Sequence, residues 1–304
     1  MNDKSMTAKL CAFLRAYHSE KNQVRIFDDT IAKMLFTQEE YQMIGESLSD
    51  GILFFNKDFN GKKEDALRWI ADHQLSQTPL ARAAFTEQSL KRAVMIGAEQ
   101  YLICAAGFDT FAYRQPDWAK KIQIFEIDHP ASAADKQDRL LRAGIDLPGN
   151  LHFISADFSV PDWLKNLTAC EAFSNEKISF CSILGLIYYL SKDEFERFLC
   201  EISVALPFNS TLIFDYPNEF YFEQQQKHSV LANGADEAMK AAYSYRDMEA
   251  LLEKYNFLIF EHLSPEDMTS QYFSDYNKAN PAHQMSAQQN VNYCLCVKKP
   301  AMIL

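Results

Sequence analysis

Three short stretches of the chain carry residue types that could hold a small ligand. The first is Ala105-Ala106-Gly107-Phe108-Asp109-Thr110, where small side chains let a backbone approach a bound molecule closely. The second is Glu126-Ile127-Asp128. It follows the glycine by about 20 residues, the spacing at which a carboxylate takes the hydroxyls of a ribose. Such a carboxylate accepts from both hydroxyls and repels a 2′-phosphate. Glu126 and Asp128 share one face of a strand, and Asp128, being last, is better placed. The third is Ala156-Asp157-Phe158, which offers a carboxylate to an exocyclic amine and a ring to an adenine face. Each stretch has a purely structural alternative. Ala105–Gly107 could be an ordinary strand-to-helix turn. Glu126 could pair with Arg114 or Lys136. Asp157 could cap a helix that starts near Pro161. In series, the three point to an adenosine-containing ligand.

These stretches need elements that bring them together. Residues 1–95 read as helical, with apolar residues at three- and four-residue steps over 4–17, 39–55 and 63–75. Asn60-Gly61 marks a turn, and Pro79 suits the start of a helix over 80–96 that ends at Gly97. From there the pattern changes. Short apolar runs at 101–105, 121–128, 151–155, 178–184 and 211–215 alternate with helix-like stretches at 132–143, 161–172 and 192–206. That alternation predicts βαβ units and a mostly parallel sheet. A helix over 246–255, a strand over 257–262, a polar stretch over 264–290 and a strand over 291–297 follow. The last two strands, with no helix recognised between them, are expected to pair antiparallel at one edge, giving seven strands. Residues 218–245, which include Gln224–Gln226, read as an insertion at the carboxyl end of the fifth strand, where α/β proteins build ligand covers. The expected division is a helical region over 1–95 and an α/β core over 96–304.

Composition excludes several function classes. Thirty Lys and Arg against 41 Asp and Glu give a net charge of −11, unsuited to nucleic acid or to an anionic membrane surface. With 48% hydrophobic and 13% aromatic residues, the chain has the material of a packed core. No apolar run approaches the roughly 20 residues needed to span a bilayer, and Met1–Lys4 lead into no signal-peptide core. The seven cysteines contain no C-x-x-C pair, and four lie in strand-like runs. We read them as reduced and buried in a cytoplasmic protein. Cys294 and Cys296 lack a second ligand pair, so no metal site is expected.

The stretch QYLICAAGFDTFAYR (100–114) followed by IFEIDHPASAADK (124–136) resembles the leucine carboxyl methyltransferase family, which includes the tetracenomycin-type polyketide O-methyltransferases. The shared pattern is a strand, GAG-x-DT-x-x-x-R, then E-x-D-x-P and a Lys. It extends upstream to Arg82 (ARAAFTEQ) and downstream to Ala156-Asp157-Phe158 and GLIYYL (185–190). The resemblance implies a Rossmann-like fold of seven strands with a helical N-terminal lid and an antiparallel last strand. It implies an O-methyltransferase that uses S-adenosylmethionine and releases S-adenosylhomocysteine. By position, Arg82 would bind the methionine carboxylate, and Ala105, Ala106 and Gly107 would pass along the methionine moiety. Asp128, with Glu126, would hold the ribose, and Asp157 and Phe158 the adenine. Two residues depart from the family. Ala105 stands where the first glycine usually does, and its methyl would avoid the ligand only at negative φ. Leu184 stands where an acid is usual, which leaves open a weakened or regulatory member.

Methyl transfer to oxygen asks mainly for alignment, which can supply about 7–11 kcal/mol. A carboxylate acceptor is already ionised, whereas a phenol or enol would gain from a base. No catalytic base is identified. His129 reads as a surface or capping residue. Tyr188, Tyr189 and the pair Asp215-Tyr216 are the candidates for the acceptor pocket; the alternative is aromatic packing under the lid. The acceptor would be a polyketide-like small molecule or a protein C-terminus. A nicotinamide-dependent oxidoreductase is the competing enzyme class, but Asp109 beside the turn would repel a pyrophosphate.

Overall fold

The structure, a computed structural model, describes residues 6–219 and 240–300. Its sheet has seven strands: β1 (Gln100–Cys104), β2 (Gln123–Asp128), β3 (Leu151–Ser155), β4 (Ser179–Ile183), β5 (Thr211–Pro217), β6 (Phe257–Leu263) and β7 (Val291–Lys298). Their spatial order is β3-β2-β1-β4-β5-β7-β6. β1 to β5 pair in parallel, and β7 runs antiparallel to both of its neighbours. The expected Rossmann-like architecture is therefore the observed one. β1, β4 and β5 are buried along their whole length because helices cover both faces, which is why they read as unbroken apolar runs.

The helices are α1 (Met6–Lys21), α2 (Gln38–Asp50), α3 (Ile52–Phe55), α4 (Lys63–Ile70), α5 (Gln77–Met95), α6 (Pro130–Arg142), α7 (Lys165–Thr168), α8 (Lys192–Ala205) and α9 (Tyr245–Lys254). Reciprocal caps start two of them: Thr37 with Glu40 for α2 and Ser191 with Glu194 for α8. Strand alternation sorts the core. Tyr101, Ile103 and Ile213 pack on one face with Leu80, Ala81, Phe85 and Leu90 of α5. Leu102, Cys104 and Leu212 pack on the other with Phe195, Phe198 and Ile202 of α8 and Met248 and Leu252 of α9. Ala12, Phe13 and Ala16 of α1 pack against Leu35, Phe36, Phe108 and Leu140, which sets α1 over the turn that follows β1.

Several expectations need correction. The single helix over 39–55 is two, because the Gly51 amide turns back on the carbonyls of Ser47 and Leu48. The helix over 161–172 shrinks to the one turn of α7, since Asp162 takes a left-handed conformation (φ 64°) that cannot sit inside a right-handed helix. The polar stretch over 264–290 holds helical structure: α10 (Pro265–Met268), a π-helical turn over Thr269–Phe273 and α11 (Ser274–Ala279). Ser264 and Asp267 form the capping box that announces it. Of the insertion over 218–245, residues 220–239 lie outside the described residues, Gln224–Gln226 among them. Among the described residues, no helix is long and apolar enough to cross a membrane. The Cys104 and Cys181 sulfurs lie 3.7 Å apart as buried thiols, and Cys294 and Cys296 are buried in β7.

One buried group makes stability depend on pH. His18 of α1 is 2% exposed; its Nε2 accepts from the Ile26 amide, and Asn22 approaches its Nδ1. Burial, together with the nearby Arg68 and Arg25, lowers its pKa from 6.5 to about 3. The unfolded chain therefore binds a proton that the folded chain refuses, and stability falls as pH drops from 6.5 toward about 3. Urea denaturation at about pH 7 and about pH 5 should show this loss, and His18→Gln should reduce it. Equal losses in both proteins would show that His18 does not carry it.

Candidate active site

The ends of β3, β2 and β1 are neighbours, joined by backbone hydrogen bonds that continue past the strands. The Ala106 amide donates to Ile127 (3.3 Å), and the Ala156 amide donates to Asp128 (2.8 Å). Ala105–Gly107, Asp128 and Asp157 are thereby placed in a row. The turn after β1 is left-handed, with φ of 54° at Ala105 and 46° at Gly107. Asp128 fixes it. One carboxylate oxygen accepts from the Gly107 amide (2.5 Å) and the other from the His129 amide (2.6 Å). Burial raises the Asp128 pKa, and those two amides oppose the rise. Each oxygen keeps a lone pair for a ligand hydroxyl.

The other side of the turn is held from α1 and the segment after it. The fully buried Asp29 carboxylate takes Arg15 Nε on one oxygen (2.8 Å). On the other it takes the Thr110 hydroxyl (2.6 Å) and the Ala32 amide (3.1 Å). Arg114 lies 3.5 Å away and also binds Glu87. Arg15 reaches on to the Phe108 carbonyl (2.6 Å). Burial alone would raise the Asp29 pKa, but Arg15, Arg114 and Thr110 outweigh it and hold it below the usual range. Thr110 and Arg114 of the recognised motif therefore tie the lid to the turn. A side chain at Gly107 would meet Ala8 of α1 at 3.1 Å, so the fit over the turn is close.

A second cluster lies across the switch between β1 and β4, where open α/β sheets bind ligands. Arg82 of α5 extends to Asp215 at the end of β5 (3.2 Å). Asp215 is fully buried and also accepts from the Gly185 amide (2.8 Å) and the Tyr188 hydroxyl (2.9 Å). Gly185 has φ of 68°, and a side chain there would lie 2.5 Å from Arg82 Nη1. The guanidinium thus lies directly against glycine backbone. Register places Asp215 beside Leu184, so an acid does stand at this edge, one strand over from where the resemblance expects it.

The remaining residues sort by geometry. Glu126 is buried against Lys136 (2.7 Å) with the Tyr113 hydroxyl at 3.1 Å, so the pairing alternative is the observed one. Its second oxygen is buried without a hydrogen-bond partner. Asp157 accepts from the Ser159 amide and hydroxyl. Phe158 does not present a free ring: it is buried, with ring centroids of Trp163 at 4.9 Å and Phe198 at 5.8 Å. Tyr188 sits at the second cluster, with the Tyr189 ring 6.4 Å from it. Tyr216 points away from both. It lies on the sheet face opposite Asp215 and meets His262 (2.8 Å) and Asn292 (3.2 Å). His129 caps α6 through the Ala131 amide, as expected. Asp29 is not among the residues that the sequence singles out, and Asp215, read there as a candidate for the acceptor pocket, is fully buried and paired with Arg82. The Asp29 hub leaves no local signal because Thr110 lies 81 residues away and Arg114 farther still, whereas Asp215 is the one acid in the fifth apolar run.

A sheet of this order with these strand ends is the Rossmann-like methyltransferase arrangement. It matches the solved structure titled "putative methyltransferase from Thermobifida fusca YX" at TM-score 0.57 and 15% identity, covering 95% of this chain and 94% of that one. A DUF574 family protein from Streptomyces avermitilis matches at TM-score 0.57 and 11% identity, covering 95% and 97%. At such identities these bear on the fold alone. The family model described as leucine carboxyl methyltransferase matches residues 8–203. The Bacillus subtilis protein named "Putative S-adenosyl-L-methionine-dependent methyltransferase YktD" is 38% identical over 98% of this chain and 99% of its own length. The chain belongs to the leucine carboxyl methyltransferase family and is an S-adenosylmethionine-dependent methyltransferase. The oxidoreductase reading falls with that assignment.

Ala105 stands at φ 54°, so the condition of negative φ is not met. A residue with a Cβ pays about 1–2 kcal/mol in this region, partly offset by the chain entropy of a glycine. Ala105→Gly should therefore stabilise the protein by about 0.5–1 kcal/mol in chemical denaturation. Destabilisation would mean that the Cβ makes contacts worth more than the strain.

Proposed function

We propose that the protein methylates an oxygen of its acceptor, with the cofactor laid along the ends of β3, β2, β1 and β4. The observation that carries this reading is the row of Asp157, Asp128 and the left-handed turn at Gly107, with Arg82 across the switch point. The residues suit S-adenosylmethionine. Asp128, with the unpartnered buried oxygen of Glu126, would accept from the ribose hydroxyls. Asp157 and the backbone at Phe158 would border the adenine; the Phe158 ring is committed to the core. Ala105, Ala106 and Gly107 would lie along the methionine moiety, and Arg82 would meet its carboxylate. When bound, the cofactor would supply a sulfonium-activated methyl carbon, which an oxygen lone pair attacks in line as the carbon–sulfur bond breaks and the thioether leaves. The protein's own part is alignment and the exclusion of water beneath α1.

The acid–base chemistry favours a carboxylate acceptor, on a small molecule or a protein C-terminus. Such an oxygen is already ionised and leaves as a methyl ester with no proton to remove. A hydroxyl acceptor would need a base, and the titratable groups at these strand ends have other work. The Tyr188 hydroxyl donates to Asp215, and its pKa lies well above the usual phenol value through burial and that carboxylate. Asp128 binds two backbone amides, and His129 caps a helix. Tyr188 and Tyr189 would line the acceptor side; Tyr216 would not.

Methyl-tritiated S-adenosylmethionine, incubated with the protein and a cell extract, should give a product that releases volatile methanol in alkali. Label stable to alkali would contradict the carboxylate reading. In calorimetry, Asp128→Ala should weaken S-adenosylhomocysteine binding by about 1.5–3 kcal/mol, the scale of a lost charge-assisted hydrogen bond. Unchanged affinity would take the ribose away from Asp128.

A further inference from the structure

Arg82 is an incompletely used cation. Its side chain is 16% exposed, and its partners among the described residues are one oxygen of Asp215 through Nη1 and the Cys11 sulfur through Nη2 at 3.4 Å. A thiol is a weak acceptor, so the Nη2 edge faces α1 with donor capacity to spare. Asp215 shows the opposite pattern. Three donors from three elements converge on its carboxylate: the Gly185 amide after β4, the Tyr188 hydroxyl and Arg82 of α5. It is fully buried, and both of its oxygens already accept from these donors. A carboxylate so fixed dictates where the guanidinium lies, and the open Gly185 backbone lets it lie there. Without that anchor Arg82 could swing among rotamers, and ordering it would weaken whatever it binds.

We propose that Asp215 is a positioning residue that presents the free edge of Arg82 to a ligand carboxylate, so that the site selects ligands that carry the amino-acid end over ones that lack it. This rests on the cofactor reading above and adds a residue and a selectivity to it. The juxtaposition also assigns a place to Cys11, whose sulfur touches the guanidinium edge that the ligand carboxylate would take.

The test compares S-adenosylhomocysteine with 5′-methylthioadenosine, which keeps the nucleoside and thioether but lacks the amino acid. Calorimetry on the wild-type chain should show S-adenosylhomocysteine bound at least about tenfold more tightly. Asp215→Asn should remove most of that preference by weakening S-adenosylhomocysteine, while methylthioadenosine changes by less than about threefold. A general loss of structure would move both ligands together, so the ratio reads positioning and not folding. Tyr188→Phe, which deletes one of the three donors and keeps the carboxylate, should give an intermediate ratio and serves if Asp215→Asn does not fold. An unchanged ratio in the folded Asp215 variant, or in Tyr188→Phe if that variant alone folds, overturns the proposal. A wild-type chain with no preference overturns it as well. Failure of both ligands to bind the wild-type chain would instead sink the cofactor reading itself.

Discussion

The hydrogen bond from the Gly107 amide to the Asp128 carboxylate joins the ends of the first two strands, and the rest of the site is arranged around it. A left-handed turn does not persist by itself when one of its residues is alanine. It is held from below by Asp128 and from above by Arg15 on the Phe108 carbonyl. The upper hold depends on Asp29, whose charge is fully buried and balanced by Arg15 and Arg114. Removing one member of such a group leaves an unpaired buried charge, a loss of about 3–5 kcal/mol. α1 and the turn are therefore stabilised by the same charges.

Charge divides the strand ends into two regions. The β2 and β3 ends carry Asp128 and Asp157, acceptors suited to hydroxyls and an amine. Across the switch the cation is Arg82, already neutralised in part by Asp215. A ligand with a diol at one end and a carboxylate at the other matches that layout in both sign and order. The absence of an uncommitted base among the described strand-end residues then bears on the acceptor, because an oxygen that is already ionised needs none.

The architecture was legible because its signals are local. Strand and helix periods, the small residues after β1 and the acids ending β2 and β3 can each be read within a few residues. The antiparallel edge was read correctly despite the overlooked helices between β6 and β7; their start, Ser264-Pro265-Glu266-Asp267, is a capping box hidden in a polar run. Side-chain direction was harder. Phe158 and Tyr216 sit at strand ends, as a ligand residue would, yet their rings turn into the core, and only packing decides that. Asp29 was illegible for a different reason. Two of its partners, Thr110 and Arg114, lie in another part of the chain, and nothing in a lone Asp-Asp pair after Phe27 announces a buried hub. Leu184 stands where the resemblance expects an acid, and the acid nearest in register, Asp215 on the adjacent strand, is fully buried.

The position of the methyl donor's product is the decisive observation. A crystal structure of the protein with S-adenosylhomocysteine gives it most directly. The account predicts ribose hydroxyls within hydrogen-bonding distance of Asp128, the adenine beside Asp157, and the homocysteine carboxylate on the Nη2 edge of Arg82 in place of the Cys11 sulfur. A ligand seated elsewhere, or an Arg82 still closed against Cys11 with the ligand bound, would contradict it.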